Sequence, residues 1–94
     1  MIEYVELFDY YGCLFTERQQ QYFMDYYFNN LTLQEIAYNN KVSRNAVHKN
    51  LKEIIKKLEY YEEKLKLNQN RKKILKILDN VDSNIKKEIE ELVW

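Results

Sequence analysis

The sequence predicts an all-α protein, and three observations carry that prediction. The 94 residues hold no proline and a single glycine, Gly12, so the turn punctuation used by strands and hairpins is missing. Apolar residues recur at spacings of three and four, the period of a helix with one buried face. The stretch Leu31 to Leu58, LTLQEIAYNNKVSRNAVHKNLKEIIKKL, carries two helix starts either side of a tight turn. Thr32 and Glu35 form a capping box for the first helix. Asn39-Asn40-Lys41 supplies the turn, because Asn tolerates a left-handed backbone. Ser43 caps the second helix. Ile36 and Ala37 point inward, Val42 fills the corner, and Val47, Leu51, Ile54 and Leu58 follow at helical spacing. Caps, turn and inward residues agree on a helix-turn-helix, whose second helix can lie in a DNA major groove. The competing reading is an ordinary helical hairpin.

In chain order, Met1 to Tyr11 is the first expected helix. Ile2, Val5, Leu7 and Phe8 form its apolar stripe, with Glu3, Glu6 and Asp9 solvated. Gly12 marks its end. Cys13 is expected as a small core residue, since no neighbouring base would lower its pKa. Thr16 to about Phe28 is the second helix, opened by a Thr16–Gln19 capping box. Tyr22, Phe23, Tyr26 and Tyr27 share one stripe of it and are read as core, with a partner surface as the alternative. A stacking platform for bases wants basic residues among the rings, and along the chain only Arg18 and Asp25 are near. Asn29 and Asn30 end this helix.

Thr32 to Tyr38 is the third helix and Ser43 to about Leu67 the fourth, roughly 37 Å long at 1.5 Å per residue. Val47, Leu51, Ile54, Leu58, Tyr61 and Leu65 make a coiled-coil type seam along it. Tyr61 and Leu65, at its far end, need cover from the C-terminal segment or another chain. Asn68-Gln69-Asn70 is the expected break. Arg71 to Leu78 is a fifth helix with Ile74, Leu75, Ile77 and Leu78 apolar, and Asp79 to Ser83 a second turn. Asn84 to Trp94 is a sixth helix with Ile85, Ile89, Leu92 and Val93 on one face. Trp94 is expected packed or in a partner contact. The organisation is thus a helix-turn-helix domain over 1–67 and a C-terminal helical hairpin over 68–94, packed on the same core or on a partner chain.

Composition narrows the function. Formal net charge is zero but unevenly spread. Residues 1–42 hold two basic against six acidic residues, 43–67 hold seven against four, and 68–94 hold six against five. A basic second helix behind an acidic front is a nucleic-acid reader's pattern in weak form, and a strong binder carries a larger positive field. One histidine, His48, and one glycine leave no His-based metal cluster and no glycine-rich phosphate loop. Glu62-Glu63 and Glu90-Glu91 are neighbours that point apart on a helix. No enzyme, cofactor or metal is therefore expected. A single cysteine fits a reducing cytoplasm, and no apolar run spans a membrane. The start of the fourth helix turns Arg44, Asn45, His48, Lys49 and Lys52 away from the seam. Arg can fork onto guanine, Asn can pair with adenine and Lys neutralises phosphate; Lys56 and Lys57 extend the basic surface. The competing reading is a solvated helix face. Asn50 lies near the seam, where a polar residue can set register.

The segments Leu14-Phe15-Thr16-Glu17-Arg18-Gln19, Tyr26-Tyr27, Leu33-Gln34-Glu35-Ile36-Ala37, Val42-Ser43-Arg44-Asn45-Ala46-Val47, Asn50-Leu51-Lys52 and Leu58-Glu59-Tyr60-Tyr61-Glu62-Glu63-Lys64-Leu65 together resemble the YlxM-like family of small bacterial proteins. That family has a helix-turn-helix like sigma factor region 4, without a wing. The Tyr61-Glu62 and Lys64-Leu65 pairs are the most telling, because general sigma-like domains do not require them. The resemblance covers about residues 4–67. It implies a cytoplasmic regulatory protein associated with the signal recognition particle pathway. The implied partners are DNA or the particle's RNA, and the particle's protein subunit. It also implies nucleic-acid contact by Arg44, Asn45, His48 and Lys49. Two positions depart from the sigma-like pattern. Lys41 stands where glycine is usual, leaving Asn40 to take the left-handed backbone, and Asn50 stands where an apolar residue is usual. A protein–protein adaptor that reads no nucleic acid is the second hypothesis. The aromatic surplus, extended seam and small size lead us to expect a homodimer.

Overall fold

A computed structural model describes residues 2–93, and side chains over 4–92; the packing expected of Ile2, Val93 and Trp94 lies outside them. The described residues form six α-helices and no strand: α1 (Ile2–Tyr11), a 3-10 turn (Gly12–Leu14), α2 (Glu17–Tyr27), α3 (Leu33–Asn40), α4 (Arg44–Leu65), α5 (Leu67–Leu78) and α6 (Ser83–Val93). No helix among them is long and apolar enough to cross a membrane.

The local signals act as their chemistry requires. Thr16 with Gln19 and Thr32 with Glu35 make complete capping boxes, and the Ser43 hydroxyl accepts from the Ala46 N–H at 3.1 Å. At the turn of the helix-turn-helix the strained position is Lys41 itself, at φ 57° and ψ 42°; Asn40 remains helical, its side-chain amide donating to the Ile36 carbonyl at 2.7 Å. The N–H of Val42 reaches the Ala37 carbonyl and that of Lys41 the Tyr38 carbonyl, a Schellman closure whose apolar clasp is Val42. The turn therefore forms without the glycine.

One core joins α1 to α4. Leu7, Tyr11, Phe15, Tyr22, Phe23, Ile36, Ala37, Val47, Leu51, Ile54 and Leu58 are all buried in it. Aromatic rings set its middle: Phe8 stacks on Phe23 at 4.1 Å between centroids, and Phe23 meets Tyr27 at 4.5 Å. Gly12 is buried beneath Phe8, and a Cβ there would lie 3.0 Å from that ring. The expectation for Cys13 fails. The tight turn Gly12–Leu14 places Tyr11 and Phe15 inward and leaves Cys13 exposed.

The seam of α4 is covered from a different side than its spacing implied. Tyr61 packs on Tyr11 and Phe15 from α1 and the turn after it, while Leu65 stays half-exposed. The helix also breaks earlier than Asn68-Gln69-Asn70. Lys66 takes the left-handed backbone, at φ 56°, and those three residues belong to α5. The start of α5 is capped from two other helices. Glu62 of α4 accepts from the backbone N–H of Asn68 (3.2 Å) and Gln69 (3.0 Å), and also from the Tyr11 hydroxyl (2.7 Å). That hydroxyl in turn accepts from the Leu67 N–H at 3.1 Å. Burial, helped by the Glu62 carboxylate, pushes the Tyr11 phenol up to about 12. Glu6 adds a 3.1 Å ion pair with Lys72 and accepts from the Asn68 side chain. α5 thus packs along α1 and the end of α4, and α6 follows on α5. The molecule is elongated, 53 × 25 × 20 Å.

Candidate nucleic-acid interface

α4 sorts its side chains by angle. At about 100° per residue, Val47, Leu51, Ile54 and Leu58 fall on one arc, and all four are buried. Arg44, Asn45, His48, Lys49 and Lys52 fall on another, centred roughly a third of a turn away. All five are exposed. The structure therefore brings the five sequence-predicted residues onto one surface, at the N-terminal half of the helix that follows the turn. Among the described residues none of their side chains makes a hydrogen bond or ion pair. Arg44 is not tied to an acidic residue of α2 or α3, so its fork is available.

The surface is supported from beneath. The side-chain amide of Asn50 donates to the Ala46 carbonyl at 2.8 Å. The polar residue at an otherwise apolar position is thus satisfied within its own helix and leaves the seam undisturbed. Arg44 and Asn45 occupy the first turn of α4, where free N–H groups and the helix dipole favour an anion. Glu53 borders the face beside Lys49, Lys52 and Lys56. The acid lowers the local field without breaking the run of bases.

One feature escaped the sequence. A groove of about 370 Å³ opens between the end of α2, the start of α3 and the middle of α4. Tyr26, Tyr27, Leu33, Leu51 and Ile55 make its apolar floor and walls; His48, Lys52 and Lys56 edge it. Tyr26 and Tyr27 have no bases near them along the chain, but the fold sets the α4 bases beside them. The residues come from two segments, 26–33 and 48–56, that are 15 positions apart at their nearest, so no local pattern could reveal it. No group of three or more His, Cys, Asp or Glu among the described residues could hold a metal ion.

Residues 1–93 match the family model described as "Putative helix-turn-helix protein, YlxM / p13 like". A UPF0122 protein of Malacoplasma penetrans is 47% identical over 92 residues, an alignment covering 92% of this chain and 86% of the relative. One of Fusobacterium nucleatum subsp. nucleatum is 40% identical over 97 residues, covering 98% and 94%. One of Clostridium perfringens strain 13 is 42% identical over 95 residues, covering 90% and 85%.

Proposed function

Since this chain belongs to the UPF0122 family of YlxM/p13-like helix-turn-helix proteins, we propose that it is a cytoplasmic regulatory protein that binds nucleic acid weakly through the exposed face of α4. One observation carries the reading. Arg44, Asn45, His48, Lys49 and Lys52 lie on one face of the helix after the turn, exposed and unbonded. Five polar side chains left without partners on the outward face of a helix whose opposite face is packed in the core are suited to phosphates and base edges. The binding is weak because four cations (Arg44, Lys49, Lys52, Lys56) share the face with Glu53 in a chain of zero net charge. The family resemblance supports a role beside the signal recognition particle pathway, with duplex DNA or the particle's RNA as the nucleic acid. Chemical-shift mapping tests the site. Added duplex DNA or RNA should shift the amides of 44–52 first and those of α6 least. Shifts centred on α5 and α6 would contradict the reading.

A second reading has its own support. The groove beside the face has an apolar floor, which suits a protein side chain better than a phosphate. An adaptor in the same pathway would use it to hold a partner protein, the particle's protein subunit being the candidate. Pull-down of that subunit by wild type but not by Ile55→Asp, with no nucleic-acid binding at low salt, would favour the adaptor.

A further inference from the structure

We propose that the groove between α2, α3 and α4 receives α6 of a second copy of this chain, exchanged reciprocally between two copies. The groove has the shape and polarity for a helix with one apolar face. Its floor presents Leu51 and Ile55 one turn apart on α4, with Leu33 and the rings of Tyr26 and Tyr27 around them. Lys52 and Lys56, also one turn apart, run along its edge.

α6 carries the complementary pattern. Ile85, Ile89 and Leu92 fall on one arc of the helix, yet Leu92 is 86% and Ile85 50% exposed. Packing on α5 therefore leaves much of that face open, and among the described residues none of α6 lines the groove of its own chain. Glu88 and Glu91 flank the apolar arc on one side, about 4.5 Å apart along the axis; Lys52 and Lys56 are about 6 Å apart. On the other flank, Lys86 is directed to Asp79 at 3.9 Å. The open face is thus apolar with an acidic edge, and the groove is apolar with a basic edge. This is helix-in-groove recognition with charges setting the direction. Because both copies hold groove and helix, the exchange closes about a two-fold axis and doubles the contact. Within its own chain α6 packs mainly on α5. Lys52 and Lys56 also belong to the basic face of α4, so the dimer is measured without nucleic acid.

Equilibrium sedimentation of the full chain across micromolar concentrations tests it. Wild type should reach twice the 11.7 kDa chain mass. Lys52→Glu with Lys56→Glu should weaken the dimer about tenfold or more, as should Glu88→Lys with Glu91→Lys. Mixing the two variants should restore both contacts in a heterodimer, because each groove then meets an α6 of opposite charge, and combining all four substitutions in one chain should bring the dimer back. All four side chains are exposed, so circular dichroism should show intact helices in every variant. A monomer at all concentrations overturns the proposal. So does a dimer indifferent to both pairs of substitutions, which would place the interface elsewhere, for example between two α5–α6 hairpins.

Discussion

Glu62 should matter far more than Glu63 beside it. Glu62 accepts three hydrogen bonds, from the backbone N–H of Asn68 and Gln69 and from the Tyr11 hydroxyl. Glu63 is exposed and, among the described residues, accepts none. Glu62→Ala removes the cap of α5, a loss of about 1 kcal/mol in typical helices. It also leaves the hydroxyl of Tyr11, a residue only 1% exposed, without its acceptor, costing about another 1 kcal/mol. The total of about 2 kcal/mol corresponds to a fall in Tm of roughly 8 to 16 °C for a domain of this size. Thermal and urea unfolding followed by circular dichroism would measure it, with Glu63→Ala as the matched control. Tyr11→Phe should recover part of the loss in the Glu62→Ala background, because it removes the stranded donor, and a double-mutant cycle would give the coupling. If Glu62→Ala melts with Glu63→Ala, Glu62 does not hold α5 in place and the account of this junction is wrong.

Three other changes test the fold. Lys41→Gly should stabilise by about 0.5–1 kcal/mol, because glycine adopts the left-handed backbone of the turn without the Cβ penalty; a loss of stability in urea would contradict the assigned strain. Gly12→Ala should destabilise by about 1–2 kcal/mol, because its Cβ forces Phe8 off Phe23; an unchanged urea midpoint would show that the ring yields freely. The ion pair with Lys72, with help from Asn68, holds the Glu6 carboxyl below its ordinary range. A depressed folded-state pKa stabilises above the unfolded value and loses that effect as pH falls through the folded one. Stability should therefore drop on the acid side of the ordinary carboxylate range, and Glu6→Gln should flatten that part of the pH profile.

Much of the architecture was legible because its causes are local. A capping box spans four residues, so Thr16–Gln19 and Thr32–Glu35 announce their helices directly, and the inward set of α4 follows from spacing alone. The exposed face was legible for the same reason, as the complement of that set. Most of what failed had causes far away in the chain. Asn68-Gln69-Asn70 looks like a turn, but Glu62 and Tyr11 supply the cap that makes it the first turn of α5. Tyr61 finds its cover in Tyr11 and Phe15, some 50 residues earlier. Cys13 was placed inside because it is small and apolar, while the tight turn gives the interior to its larger neighbours. The groove is a product of packing and has no signature in any one segment.

The central claim is that α4 meets nucleic acid through its exposed basic face. A salt titration of binding to duplex DNA and to signal recognition particle RNA, with Arg44→Ala beside wild type, tests it most directly. Three or four cations meeting phosphates predict a fall in affinity with a log–log slope of about −2 to −4, and Arg44→Ala should weaken binding roughly 5- to 150-fold if its fork meets a base. Absence of binding at low salt, or binding that neither salt nor Arg44→Ala alters, would contradict the claim.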